Sequence, residues 1–266
     1  MNKGRHIDVM GIVNLTDDSY FAQSRCPDLD STLCRVARML DEGATIIDIG
    51  ACSTRPGSQP VGSVEEWRRL EKVLTPIRDA FPDISISVDT YWADVVTKTY
   101  DLIGDFIVND ISAGEDDPMM LPVVGKLGLR YVAMHKRGNP ETMQSLTDYN
   151  DVVGDVLSYF KRFFEKTLQY EIKDWILDPG FGFAKTIDQN YELLRRLDEL
   201  KVLDRPILVG VSRKSMIYKL LGISPEDSLP ATQVLHLKAL QQGADILRVH
   251  DVAEAVQTIA LYRRLG

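Results

Sequence analysis

Polar and charged side chains stand at the ends of short apolar runs throughout this sequence. They are acids, amides, histidines, a serine and an arginine, at Asn14, Asp48, Asp89, Asn109, Asp110, His135, Asp178, Ser212, Arg248, His250 and Asp251. Any single one could be a strand terminator or a helix N-cap, because Asp, Asn and Ser favour those positions. The whole set indicates a ligand, since carboxylates that face a protein interior need partners.

Asp89, Asp178 and the amide of Asn109 allow two kinds of chemistry. The two carboxylates could be the paired acid and base of a glycosidase. They could equally accept the donor edge of a flat heterocycle, because a carboxylate takes two parallel N–H bonds from an amino-pyrimidine as it does from a guanidinium. Asp48, just before Gly50, is interpreted as structural.

The candidate cations are few and stand in polar segments: Arg55 in STRPGS, Arg213 and Lys214 in VSRKS, and Arg248 in RVHD. This placement suits an anionic substrate, and the helix start after the seventh apolar run is where α/β barrels commonly hold a phosphate. Arg213 could instead be a surface residue. Lys214 at a strand end could also form a Schiff base, as in an aldolase.

Three further features favour ordinary structural roles. The segment DPGFGFAKT lacks the glycine spacing and GK[ST] ending of a phosphate loop, so we interpret its glycines as letting the backbone approach a flat ring beside Phe183. His135 and His250 have no HxH or HExxH companion, which argues against metal ligation by imidazole and favours a structural or substrate-contacting histidine. Cys52 has no adjacent histidine and is interpreted as a small buried residue rather than a nucleophile.

The apolar runs are rich in Val and Ile and nearly continuous, as strands buried on both faces are. They are IDVMGIVNL from Ile7, ATIIDIGA from Ala44, DISISVDT from Asp83, DFIVNDI from Asp105, LRYVAMH from Leu129, DWILDPG from Asp174, PILVGVS from Pro206 and DILRVHD from Asp245. Stretches with helical spacing lie between them: Ser31 to Gly43, Val64 to Phe81, Ala93 to Ile103, Pro118 to Leu127, Asp151 to Tyr170, Asp188 to Leu200, Leu229 to Gln242 and Ala253 to Leu265.

This alternation, without a linker, predicts one α/β domain over residues 1–266: a single (β/α)8 TIM barrel with parallel strands. The rival fold, a doubly wound open sheet, would begin with a glycine-rich dinucleotide turn, which is absent after the first strand. In a barrel the active site forms at the C-terminal ends of the strands. The polar residues named above would therefore converge on one mouth.

Composition limits the class of protein. The chain of 266 residues has 44% hydrophobic and 26% charged residues, as an ordinary globular protein does. Its net charge of −8 has the wrong sign for gripping nucleic-acid phosphates. Three cysteines without a CxxC pair predict neither a disulfide framework nor a zinc site, and no run approaches the roughly twenty apolar residues of a membrane span. We therefore expect a cytoplasmic protein that binds neither nucleic acid nor membrane.

Eight blocks in a fixed order, from Gly11 to Val252, resemble the dihydropteroate synthase family, the pterin-binding enzymes of folate biosynthesis that sulfonamides inhibit. The blocks are GIVNLTDDS, DIGACSTRPGS, SVDTY, VNDIS, MHKRGNPETMQ, LDPGFGFAKT, LVGVSRKS and RVHDV. The resemblance implies a transferase that condenses (7,8-dihydropterin-6-yl)methyl diphosphate with 4-aminobenzoate, giving 7,8-dihydropteroate and diphosphate. It also implies Mg²⁺ as cofactor and a homodimer formed through the C-terminal helices.

The resemblance further implies a role for each matching residue. The pterin ring would be held by Asp89, Asn109 and Asp178, with Lys214 at its carbonyl side and with Met134, Phe183 and Gly210 lining the slot. The diphosphate would be held by Asn14, Arg248 and His250, with Asn14 giving an amide oxygen to Mg²⁺. The aminobenzoate pocket would be shaped by Thr54, Arg55, Pro56, Ser212 and Lys214, and the catalytic residues would be Lys214, Arg248 and His250.

The sequence also departs from the family pattern. Asp17 stands where Pro is usual, Cys52 where Glu is usual and Ala184 where Gly is usual, and the loop DSYFAQSR lacks the usual Asp-Gly-Gly. These departures leave the roles of Asp18 and Phe21 open. Three rival functions remain. One is a methyltetrahydrofolate-dependent methyltransferase, which shares the Asp/Asn arrangement but needs no diphosphate grip. The others are a Schiff-base aldolase that uses Lys214 and a non-catalytic pterin-binding paralogue.

Overall fold

The computed structural model describes residues 5–15, 28–52, 61–138 and 142–265, and strands alternate with helices throughout these ranges. The strands are β1 Asp8–Asn14, β2 Ile46–Gly50, β3 Ser85–Asp89, β4 Ile107–Asp110, β5 Arg130–Met134, β6 Trp175–Asp178, β7 Leu208–Val209 and β8 Ile246–Val249. The helices are α1 Leu29–Asp41, α2 Ser63–Ala80, α3 Ala93–Ile103, α4 Met120–Leu127, α5 Val152–Gln169, α6 Ile187–Arg195, α7 Ser215–Leu221, α8 Leu229–Gln241 and α9 Val252–Leu265. The predicted strand of every apolar run is present.

The strands form one parallel sheet in the order β6-β5-β4-β3-β2-β1-β8-β7. The two ends of this sheet meet through a parallel bridge between Leu177 and Ile207. There the Leu177 N–H donates to the Pro206 carbonyl at 3.0 Å. Because β6 and β7 touch, the sheet closes on itself, and the predicted (β/α)8 barrel is confirmed over the open doubly wound alternative.

Alternate residues of each strand face the inside of the barrel, and these inward residues become polar toward the C-terminal ends of the strands. The lower layer is an apolar cluster of Met10, Ile46, Ile107, Val132, Ile176, Leu208 and Ile246. Two residues further along the same segments stand Ile12, Asp48, Asn109, Met134, Asp178, Gly210 and Arg248. The period of two therefore places an apolar floor beneath a polar mouth.

The helices cover the outward faces of the strands. On α5, for example, Phe160 and Phe163 pack on Trp175 of β6, with ring centroids 6.2 and 5.1 Å apart. Burying one large apolar side chain contributes about 1.5–3 kcal/mol, so packing of this kind stabilises the barrel. None of the helices in the described ranges is both long and apolar enough to cross a membrane.

The helix predicted over Asp188 to Leu200 is shorter in the structure. It ends at Arg195, and the chain tightens into a 3₁₀ helix over Leu197–Leu203. At this junction the Arg196 guanidinium pairs with three carboxylates, from Asp151, Glu192 and Glu199, at 2.9, 2.8 and 2.7 Å. This gathering of charge links the junction to the start of α5, a tertiary contact that helical spacing does not encode.

Candidate active site

Asp48 is the centre of a buried polar cluster on the inner wall of the barrel. Its carboxylate accepts hydrogen bonds from Ser87 Oγ at 2.6 Å, Asn109 Nδ2 at 3.1 Å and Arg248 Nε at 2.7 Å. The structural role expected for Asp48 is thus more specific than the sequence suggested, because Asp48 orients two predicted site residues. The available signal was its inward position in the run IIDIG, where a carboxylate must find partners.

Arg248 bridges two carboxylates of the mouth. Besides Asp48, its Nη2 contacts Asp89 Oδ2 at 2.9 Å. The register aligns Asp89 of β3 with Gly50 of β2 on one side and with Asn109 of β4 on the other. Arg248 was expected to hold a diphosphate, and the structure places it in the same mouth but paired with the acids of the expected pterin site.

Burial raises the pKa of both predicted pterin-binding acids above the usual range of a carboxyl. For Asp89 the Arg248 charge opposes this rise, while nearby carboxylates add to it. For Asp178 the Lys214 charge opposes it, together with the Gly180 N–H that donates to Asp178 Oδ1 at 2.8 Å. N–H donors favour the charged form of a carboxyl, so a donor-rich ligand edge would stabilise both acids as carboxylates.

The loop after β6 and the start of α7 form the side of the mouth next to Asp178. Lys214 is the N-cap residue of α7, and its Nζ donates to the Phe181 carbonyl and lies 4.9 Å from the centroid of the Phe183 ring. Burial lowers the pKa of Lys214 to about 8, although the Asp178 charge favours its ammonium form. A β-carbon at Gly210 would lie 3.9 Å from Lys214 Nζ, so this glycine leaves room beside the lysine.

Ser212 and His250 meet at the ends of the segments that follow β7 and β8. His250 Nδ1 lies 3.0 Å from Ser212 Oγ, and the His250 carbonyl accepts a hydrogen bond from Arg35 Nη2 at 3.0 Å. Burial, with the positive charges of Arg248, Arg213 and Arg35, lowers the pKa of His250 to about 3. The imidazole is therefore neutral in the ligand-free protein. Arg35 was missed from the sequence, because helical spacing does not separate it from the exposed Arg38.

Arg213 is a buried anchor and not a surface residue. Its guanidinium forms a paired contact with Asp251, at 2.8 and 2.9 Å, and also donates to the carbonyls of Pro225 and Glu226. Its backbone has a positive φ of 53°. The alternative that Arg213 is a solvated cation is therefore wrong, and its charge holds the loop that presents Ser212 and Lys214.

The wall beside β2 and β3 carries a thiol and a carboxyl. Burial raises the pKa of the Cys52 thiol, and its Sγ lies 3.9 Å from Tyr91 Oη. A protonated thiol fits the expected small packing residue better than a nucleophile. Glu66 of α2 is fully buried, and neither of its carboxyl oxygens has a hydrogen-bond partner among the described residues. This buried acid was missed from the sequence.

Asn14 ends β1 directly beside Gly50 in the parallel register. A β-carbon at Gly50 would lie 3.6 Å from Asn14 Oδ1 and 3.8 Å from Asp89 Oδ2. Both side-chain oxygens therefore lie close to the backbone of Gly50. The described part of the chain contains no cluster of three or more His, Cys, Asp or Glu residues suited to a metal.

The structure leaves several predicted residues untested. Thr54, Arg55 and Pro56, together with Asp17, Asp18 and Phe21, lie outside the described residues.

Met134 is buried at the end of β5, where it is aligned with Asp178. Ala184 has a φ of 49°, so an alanine occupies a left-handed backbone conformation that glycine adopts more easily. His135 is buried beneath the mouth and packs edge-on against the Tyr159 ring.

Taken together, one barrel mouth combines acids that accept N–H donors with arginine and lysine groups that attract an anion. A ligand with a donor-rich ring at one end and negative charge at the other satisfies both sets. A family model described as pterin binding enzyme matches residues 10–250. The chain belongs to this family of barrel enzymes.

The relatives at high identity are, more particularly, dihydropteroate synthases. The chain is 41% identical over 257 residues to that of Synechocystis sp., covering 96% of this chain and 88% of the relative. It is 40% identical over 256 residues to that of Escherichia coli, covering 96% and 90%. The Yersinia pestis dihydropteroate synthase with a sulfonamide drug complex superposes with a TM-score of 0.93, at 38% identity, over 100% of this chain and 96% of that one. The Thermus thermophilus enzyme in complex with 4-aminobenzoate superposes with a TM-score of 0.87, at 35% identity, over 98% and 95%.

Proposed function

We propose that this chain is a transferase that condenses (7,8-dihydropterin-6-yl)methyl diphosphate with 4-aminobenzoate, giving 7,8-dihydropteroate and diphosphate. The observation that carries the proposal is the pairing of opposite charges in one mouth, where Arg248 contacts both Asp48 and Asp89. An enzyme that bound only a neutral heterocycle would have no use for this arginine. One that bound only an anion would have no use for the acids.

The pterin end of the substrate would form hydrogen bonds with the acids and the amide of the mouth. Its ring N–H and amino groups would donate to Asp178 and Asp89, and the Asn109 amide, oriented by Asp48, would face the same edge. Phe183 and Met134 would line the ring faces. Lys214, whose pKa is lowered to about 8 by burial, would donate to the carbonyl side of the ring.

The diphosphate end would bind to the positively charged and N–H donor groups of the mouth. Pairing of Asp89 with the ring would release Arg248 from one of its two carboxylates, so that Arg248 could turn toward the phosphate oxygens while Asp48 still holds it in the mouth. His250, neutral in the ligand-free protein, would donate a hydrogen bond to the same group, and the nearby Arg35 would add positive potential. Charge-assisted hydrogen bonds of this kind stabilise a departing anion in a site shielded from water.

The reaction would then need little proton transfer before the new bond forms. The bond from the methylene carbon to the diphosphate oxygen breaks, and its electron pair leaves with the diphosphate. The electron-rich pterin spreads the positive charge left on the methylene carbon, which the weakly basic arylamine nitrogen attacks. Its proton leaves after the C–N bond has formed. Ser212 and Lys214 would border the aminobenzoate pocket together with Thr54, Arg55 and Pro56.

We propose Mg²⁺ as the cofactor, with Asn14 as its protein ligand. The side-chain oxygens of Asn14 and Asp89, which lie close to the backbone of Gly50, support a hard cation that keeps water and substrate phosphates as its other ligands. Bound there, the ion would neutralise negative charge on the diphosphate. A homodimer is supported by exposed apolar side chains on α8 and α9, among them Val234, Leu261 and Leu265. The cytoplasmic location stays a prediction from cysteine usage.

A turnover assay with both substrates and Mg²⁺ tests the function. We expect 7,8-dihydropteroate and diphosphate in equal amounts, and we expect chelation with EDTA to abolish both. Methyl transfer to a corrinoid without diphosphate release would replace the synthase by the methyltransferase. Pterin binding without turnover, and failure to restore growth of synthase-null cells, would indicate a non-catalytic paralogue. Borohydride trapping of Lys214 with a carbonyl substrate would indicate an aldolase.

A further inference from the structure

Lys185 is a buried cation in the loop after β6, and no step described above uses it. Its side chain is buried, with 4% of the residue exposed. Nζ donates to the Gly180 carbonyl at 2.9 Å and to the Phe183 carbonyl at 3.1 Å, and it lies 3.0 Å from His135 Nδ1. Burial lowers the pKa of Lys185 to about 7, although the Asp178 charge favours its ammonium form. An ammonium group has three hydrogens, and these three contacts satisfy all of them.

The two carbonyls belong to the loop itself, so the lysine folds the loop around its own ammonium group. Gly180, whose carbonyl is held, also donates its N–H to Asp178 Oδ1 at 2.8 Å. Phe183, whose carbonyl is held, lies with its ring 4.9 Å from Lys214 Nζ. The lysine therefore fixes the backbone at Gly180, which bonds to Asp178, and at Phe183.

His135 connects this arrangement to the next strand. It follows β5, is also buried, and its backbone N–H donates to the Asp178 carbonyl at 2.9 Å. A β-carbon at Gly180 would lie 1.9 Å from the His135 carbonyl, so the two loops touch where only a glycine fits. Burial and the Lys185 charge hold the pKa of His135 well below its usual range, so the imidazole is neutral. The Lys185 ammonium beside it favours the tautomer in which Nδ1 carries no proton and accepts.

We propose that Lys185 and His135 act as one positioning unit for the pterin site, in which the His135 ring and two loop carbonyls hold the Lys185 ammonium and so fix Asp178 and Phe183. The inference rests on the proposed function, because it assigns Lys185 to the pterin half of the mouth. Among the described residues, Ser212 on the aminobenzoate side bonds to His250 and has no hydrogen bond to Lys185 or His135, whereas Lys214 borders both halves.

The test compares Lys185→Met, Lys185→Gln and His135→Leu with the wild type, using full-length protein. The dissociation constant of the pterin diphosphate is measured by calorimetry, and that of a sulfonamide is measured with diphosphate and Mg²⁺ present. We expect each variant to bind the pterin at least tenfold more weakly while sulfonamide affinity changes less than twofold. Lys126→Met, the same substitution at an exposed lysine, should leave both constants unchanged.

The double variant Lys185→Met with His135→Leu separates a unit from two independent residues. We expect its loss of pterin affinity to match that of Lys185→Met alone, because removing either partner already breaks the unit. Additive losses, or equal losses of pterin and sulfonamide affinity, would overturn the proposal in favour of a general role in folding. If Lys185→Met does not fold, Lys185→Gln, which keeps an amide donor, gives the same comparison. A wild type without pterin binding would instead remove the proposed function.

Discussion

At the scale of single residues, the acids of the mouth owe their behaviour to burial. Asp89 shares Arg248 with Asp48, whereas Asp178 is held by the Gly180 N–H. The two carboxylates thus have different partners in the ligand-free protein, although both face the same ligand edge. A substitution at Asp89 therefore also removes a partner of Arg248, whereas one at Asp178 changes the acceptor of the Gly180 N–H.

We expect Asp178→Asn and Asp89→Asn each to lower kcat/KM for the pterin substrate. Each change removes a charge-assisted acceptor, a loss of about 1.5–3 kcal/mol, or roughly ten- to a few hundred-fold in efficiency. Steady-state kinetics with thermal melts measure this, and Asp174→Asn, at a largely exposed ion pair, is the control. Wild-type efficiency in either variant would remove that carboxylate from the site.

Glu66 predicts a pH-dependent stability. Burial, with the Asp89 charge adding to it, raises the pKa of Glu66 from 4.5 to about 7. The neighbouring Thr90 hydroxyl opposes part of this rise. Because the folded pKa exceeds the unfolded one, the folded protein favours the protonated acid. The wild type therefore loses stability as the pH rises from about 4.5 through about 7.

Glu66→Gln should abolish this loss. At pH 8 we expect the variant to be more stable than the wild type by up to about 3 kcal/mol, since each pKa unit is worth about 1.4 kcal/mol. Near pH 4.5 the two should be equally stable. Urea denaturation at both pH values measures the difference, and Glu65→Gln, at the adjacent and partly exposed acid, should not show the gain. An equal effect at both pH values would mean that Glu66 is not buried as a neutral acid.

At the scale of elements, α6 begins immediately after the loop that carries Phe183. Thr186 Oγ1 accepts from the Gln189 N–H at 3.2 Å, and Gln189 Oε1 accepts from the Thr186 N–H at 2.8 Å, which forms a capping box. We expect Thr186→Ala to lower the free energy of unfolding by about 1 kcal/mol, measured by urea denaturation. Thr186→Ser keeps the hydroxyl and should behave as the wild type. A silent alanine variant would show that the cap contributes nothing here.

Strands and most helices could be predicted from sequence because each has a local cause. An apolar run buried on both faces predicts a parallel strand, and the mouth residues follow from where the runs end. Asp48 and Glu66 could not be assigned in the same way, since their roles depend on Arg248 and Asp89, which are far away along the chain. The seven-residue α7 was also absent from the helices predicted by periodicity, because it is too short for two full amphipathic turns to show.

At the scale of the whole molecule, the two halves of the mouth should bind in order. The polar segments Leu15 to Cys26 and Ser53 to Gly62 have few apolar residues, and from the sequence we expect a bound diphosphate to anchor them; residues 16–27 and 53–60 lie outside the described residues. We expect a sulfonamide to bind 5- to 150-fold more tightly when diphosphate and Mg²⁺ are present, a coupling of about 1–3 kcal/mol. Calorimetric titration measures both affinities. Equal affinities in the two conditions would mean that the second pocket is preformed.

The seam between β6 and β7 has a consequence for how the barrel opens. β7 has two residues and contacts β6 through a single bridge, whereas β2 and β3 share five aligned pairs. Amide hydrogen exchange should therefore be faster at Leu177, on the seam, than at Val88, in the middle of the sheet. Asp178 and Gly210 stand on opposite sides of this seam, so a pterin that contacts both would tie the two edges together. Bound substrate should slow exchange at Leu177 far more than at Val88. The ligand would then add a second connection between β6 and β7 beside the single bridge.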